Sequence, residues 1–149
     1  MADERGGREV GKTRDAGYQV GIRRTLPVDV AEAWRLVTSA EGMRAWLGDG
    51  ARVELAPGHE YALADGSTGM VRVVEPESHL RLTWLPAGWP RPSTIQVRVI
   101  ATVDGRATVA FHQEHLPSAA ARQERRAHFA AALAAIERLA TGAVASIAS

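Results

Sequence analysis

The reading of SAAARQERRAHFAAALAAIERLATG, residues 118–142, decides the fold. Ser118 follows Pro117 and suits an N-cap, and Gly142 suits the position just past a helix end. A helix of about 23 residues at ~1.5 Å rise is a rod of roughly 35 Å, about twice the usual globular length. Phe129, Leu133, Ile136 and Ala140 recur at helical spacing and give one core-facing stripe. Arg122 and Arg126 continue that stripe toward the N-terminus. Ala130, Ala131, Ala132, Ala134 and Ala135 favour the helix but fill little volume. Against a sheet, such a rod leaves either a close approach or a void.

Upstream of the rod the pattern reads as strands. Arg52–Ala56, Glu60–Leu63, Met70–Val74, Leu80–Leu85, Thr94–Val103 and Thr108–Leu116 are rich in Val, Ile, Leu, Thr and Trp. Pro57-Gly58, Asp65-Gly66, Glu75–Ser78, Gly88–Pro92 and Asp104-Gly105 separate them. Asp104-Gly105 predicts a tight hairpin with positive φ at both turn positions. On Leu80–Trp84 alternation puts Leu80, Leu82 and Trp84 on one face. Met70–Val74 has no clean apolar face, so that strand is either bulged or wet on one side.

Before these strands, Tyr18–Thr25 alternates loosely as a first strand. Asp29 caps a short helix, with Glu32 three residues on and Val30, Ala33, Trp34 and Val37 on one face. Thr38 with Glu41 repeats the capping signal for a second helix, about Ala40 to Leu47, ended by Gly48-Asp49-Gly50. The fold class that follows is α+β: an antiparallel sheet of six to seven strands, two short helices after the first strand, and the long helix across the concave side.

A chain of 149 residues is one domain long and buries enough surface to fold without staples. It contains no cysteine, which excludes disulfides and thiolate chemistry. Eighteen basic against 17 acidic residues leave a net charge of +1, without the basic face of a nucleic-acid binder. Lys12 is the only lysine. No apolar run approaches the ~20 residues of a membrane span, and MADERGGREVGKTRDAG carries no secretion signal. Residues 1–17 are expected to be a disordered tail, 18–141 the domain and 142–149 a frayed end, with the protein in the cytoplasm.

Three pieces carry a family resemblance: LPVDVAEAWRLVTSAEGMRAWL (Leu26–Leu47), with Trp34, Thr38 and Trp46 in place; Gly69, Val71, the Glu75-Pro76 turn, Leu80, Leu82 and Trp84; and the Asp104-Gly105 hairpin leading to HQEHL. Together they make the chain resemble a START-like (SRPBCC) helix-grip protein. More narrowly, it is similar to the bacterial homologues of the activator of the heat-shock-protein-90 ATPase. The resemblance implies a sheet gripping the last helix around an internal cavity, and binding of a hydrophobic or amphipathic small molecule. It transfers no catalytic residue, cofactor or metal. Where the family often has Gly-Trp at the start of the last helix, this chain has Ala120–His128, containing Arg122, Arg125 and Arg126.

The cavity-lining candidates are Trp46, Tyr61, Met70, Arg72, Trp84, His112, Glu114, Arg126, Phe129 and Leu133. For Leu82 and Trp84 the ordinary reading is plain core; the sharper one has Met70 and Trp84 lining a cavity. His112 and Glu114 share a strand face and suit ligand binding or proton transfer if that face is concave; otherwise they form a locally paired edge. His112 and His115 point oppositely on a strand, which argues against a shared metal. Arg122 and Arg126 either greet an anion at a cavity mouth or lie along apolar surface with solvated heads. The sequence lacks a P-loop, GxGxxG, HExxH and GxSxG. Three functions stay open: non-catalytic ligand binding, a cyclase- or hydrolase-like enzyme on an aromatic or polyketide-type substrate, and a protein-interaction or co-chaperone-like module. The implied partners are a small hydrophobic ligand and, for the third reading, a protein, with the chain a monomer or homodimer.

Overall fold

The computed structural model describes residues 12–13, 17–50 and 53–148. The elements run β1 (Lys12–Thr13), β2 (Gly17–Leu26), α1 (Val30–Thr38), α2 (Ala40–Trp46), β3 (Glu60–Ala62), β4 (Thr68–Glu75), β5 (His79–Trp84), β6 (Ser93–Ala101), β7 (Ala107–Leu116) and α3 (Ala119–Ala148). One antiparallel sheet has the order β1-β2-β7-β6-β5-β4-β3. It curves, and α3 packs against β2, β7 and α2.

The local signals act as chemistry dictates. Asp29 accepts the N–H of Glu32 at 2.9 Å and starts α1. Ser39, rather than Thr38, caps α2, accepting the N–H of Gly42 at 3.0 Å. Thr38 instead donates its hydroxyl back to the Trp34 carbonyl at 2.7 Å. A Cβ at Gly42 would fall 1.9 Å from the Leu36 carbonyl oxygen, so the corner between the helices requires glycine.

Several expectations are corrected. Residues 53–56 form no strand. Lys12 and Thr13, placed in the expected disordered tail, pair with Tyr18 and Gly17; residues 1–11 and 14–16 lie outside the described residues. Gly142 does not end α3, which continues to Ala148. The β6–β7 hairpin forms, but only Gly105 has positive φ (82°) while Asp104 does not. The Gly105 N–H returns to the Thr102 carbonyl and the Thr102 N–H to Arg106, so the connection is longer than a two-residue turn. Strand β4 is bulged at Arg72, between the pairs Val71↔Leu82 and Val73↔Arg81. That explains why Met70–Val74 shows no clean alternation.

The core sits between the concave sheet face and α3. Phe129 stacks on Phe111, with centroids 5.0 Å apart and planes 11° apart, and Trp46 leans on Phe111 at 5.8 Å. The indole N–H of Trp46 is satisfied by the Val37 carbonyl at 2.8 Å. Farther along α3, Ala132 and Ala140 are buried, so the small side chains there produce a close approach.

Candidate functional site

The stripe of α3 does not continue through Arg122 and Arg126. The buried positions are Ala121, Arg125, Phe129, Ala132, Leu133, Ile136 and Ala140. Stepping back by four from Phe129 gives Arg125, and again Ala121. Arg126, a cavity candidate, is exposed, because a step of three carries it off the packed face. Arg122 donates its Nε to the Gln19 carbonyl at 2.8 Å.

Arg125 is 8% exposed and embedded in a polar chain crossing the sheet. Its Nε donates to Gln113 Oε1 at 2.8 Å, Gln113 Nε2 donates to Ser93 Oγ at 2.7 Å, and Ser93 Oγ donates to the Trp84 carbonyl at 3.1 Å. The guanidinium carbon lies 4.0 Å from the Trp84 ring centroid and 4.9 Å from that of Phe129. Burial pulls its pKa down to about 10, opposed by Tyr61, Asp65 and Glu124, so the group stays charged near neutrality.

Beside this stack a recess of about 490 Å³ opens at the junction of sheet and helix, lined by Leu47, Gly48, Asp49, Ala64, Asp65, Trp84, Arg125 and His128. His128 Nε2 is bonded to the Trp46 carbonyl oxygen at 2.7 Å. Burial, and then the Arg125 charge, holds its pKa below the usual imidazole value. Asp65 accepts the Ser67 N–H, which keeps its carboxyl below the ordinary range.

The predicted residues divide. Trp84 lines the recess, while Trp46, Phe129 and Leu133 are buried core beneath it. Tyr61 is buried, but its hydroxyl donates to the Thr83 carbonyl at 2.5 Å, and burial pushes its pKa well up. Met70 and Arg72 line a different groove with Glu60 and Thr83, away from α3. His112 and Glu114 lie on the face opposite the buried Phe111 and Gln113. His112 meets Gln19 there at 3.1 Å. Their face is not the concave one, so the two do not join Tyr61. Among the described residues no group of three or more His, Cys, Asp or Glu is placed to hold a metal, and no helix is long and apolar enough to cross a membrane. Gln113, Ser93 and Arg125 are not among the cavity candidates read from the sequence. The signal that finds the arginine is its four-residue spacing to Phe129.

A profile for the family described as activator of Hsp90 ATPase homolog 1-like protein matches residues 27–141. The chain belongs to that family. Comparison with curated protein sequences gives no match. Among solved structures this chain is similar to a Mesorhizobium loti protein, at TM-score 0.69 and 21% identity over 81% of this chain and 95% of that one. It is similar to CalU16 from Micromonospora echinospora, at TM-score 0.70 and 20% identity over 81% of this chain and 73% of that one. A Plasmodium falciparum Hsp90 activator matches at TM-score 0.56 and 17% identity over 68% of this chain and 75% of that one. At these identities the likeness is one of fold.

Proposed function

We propose that this chain binds an amphipathic small molecule, without transforming it, in the recess between α2, the β3–β4 turn, the end of β5 and α3. The observation that carries this reading is the recess itself, about 490 Å³, walled by Leu47 and Trp84 and backed by a buried guanidinium. An apolar wall with a few placed polar groups is the usual composition of a small-molecule site. A structural relative described as a putative protein in the dynemicin biosynthetic locus fits small-molecule handling on this fold. The enzyme reading needed His112, Glu114 and Tyr61 to converge; the first two sit on the opposite sheet face from the recess, and the Tyr61 hydroxyl is engaged by the Thr83 carbonyl.

The test is native mass spectrometry of the purified protein, with extraction of bound compounds, then titration with lipid and aromatic metabolites. One bound amphiphile per chain, lost in Trp84→Ala, is the expected result. An empty spectrum and no saturable binding across the panel would overturn the reading.

A further inference from the structure

Two buried side chains at the recess are left with N–H groups that no acceptor satisfies. Arg125 Nη2 and Trp84 Nε1 both lack a hydrogen-bond partner, although their residues are only 8% and 7% exposed. Gln113 takes the Arg125 Nε and nothing more. The rings of Trp84 and Phe129 engage the guanidinium through their faces and give Nη2 no acceptor. Among the described residues no carboxylate stands within ion-pair distance of Arg125. Asp65 and Glu124 act on Arg125 only from beyond ion-pair distance, so its buried charge has no direct partner, and a buried donor without an acceptor adds to that cost.

Both orphan groups are donors, so only a lone-pair-bearing group answers them, and the buried cation selects a negative one. We propose that the recess anchors its occupant through a carboxylate, one oxygen on Arg125 Nη2 and the other on Trp84 Nε1. This rests on the binding reading above and names the chemical class it takes. Asp49, which pairs with Arg44 at 3.2 Å, and Asp65 also line the recess. Their charges oppose a second negative charge there, which disfavours phosphate monoesters relative to carboxylates. The remainder of the ligand lies along Leu47, Ala64 and the Trp84 ring and is apolar.

Isothermal titration of the full chain with decanoate, decan-1-ol and decyl phosphate, and with 2-naphthoate and 2-naphthylmethanol, tests the assignment. Carboxylates are expected to bind roughly tenfold or more tightly than the matching alcohols, the scale of one charge-assisted hydrogen bond. Decyl phosphate falls behind decanoate. Trp84→Phe keeps an aromatic face and removes the donor; it weakens carboxylate binding more than alcohol binding, so the acid-to-alcohol ratio narrows several-fold. Arg125→Gln abolishes the preference, and where it fails to fold, as read by circular dichroism, the Trp84→Phe arm decides. Equal affinity for acid and alcohol overturns the carboxylate while leaving the binding site standing. No binding in any arm overturns both.

Discussion

Gln113 stands between Arg125 and Ser93, accepting from the first at 2.8 Å and donating to the second at 2.7 Å. It is fully buried, and its amide occupies both neighbours at once. The core of this protein is therefore not purely apolar at the end where the recess opens.

Replacing Gln113 by Leu leaves the Arg125 Nε and the Ser93 hydroxyl buried without that partner. Urea unfolding is expected to show a loss of about 2–4 kcal/mol, the cost of stranding one charged and one neutral group. Adding Arg125→Met to Gln113→Leu recovers part of the loss, so the double-mutant cycle gives a coupling energy above ~1 kcal/mol. Strictly additive losses would contradict the network.

Gly69 lies under Tyr61. A Cβ there would fall 2.0 Å from the Thr83 carbonyl oxygen and 2.4 Å from the Tyr61 hydroxyl. Gly69→Ala is expected to cost about 2–4 kcal/mol through overpacking and the broken Tyr61–Thr83 bond. Gly58→Ala, where φ is 89° and nothing lies within 4 Å, costs only the conformational strain of about 1–2 kcal/mol. Thermal melts of the two variants check the order, and equal shifts would be inconsistent with the contact.

His128 has a folded pKa below its ordinary value of 6.5, so the folded state favours the neutral ring. The unfolded chain binds the proton more readily, and stability is lost as pH falls below about 6.5 toward the lowered folded value. Above 6.5 this contribution is fully present. Proton NMR titration of the ring and melts between pH 7.5 and 5 test it; His128→Gln flattens that part of the profile. An upward-shifted His128 titration would reverse the sign.

Phe129 is fully buried and stacked on Phe111. Phe129→Ala is expected to cost about 3–5 kcal/mol, and Phe129→Leu considerably less. Near-ultraviolet circular dichroism and urea unfolding measure it, and a loss under ~1 kcal/mol would mean that α3 does not grip the sheet as described.

The architecture was readable because its signals are local. The Asp29 cap, the proline-marked turn at Pro76, the alternation of Leu80, Leu82 and Trp84 and the stripe Phe129–Leu133–Ile136 each depend on near neighbours. The site was less readable because its members come from different elements. Ser93, Gln113 and Arg125 are far apart in sequence, and a buried glutamine on a strand looks like any alternating polar residue until the concave face is known. Arg125, four residues before Phe129, is buried, whereas its neighbour Arg126, three before, is exposed, and composition does not distinguish the two. The bulge at Arg72 and the engaged Tyr61 hydroxyl arise from cross-strand geometry that no single segment encodes.

His115 adopts φ of 68°, and the β2–β7 register passes from Val20↔Gln113 to Tyr18↔Leu116 there. One surplus residue on β7 shifts the parity of everything after it. Without it, Gln113 and Leu116 would point to opposite sides; with it, both turn inward and both are buried. The strand can thus offer an amide oxygen that accepts from the guanidinium and still plug its own terminus with leucine. Shortening β7 by that single residue would force a choice between the plug and the amide.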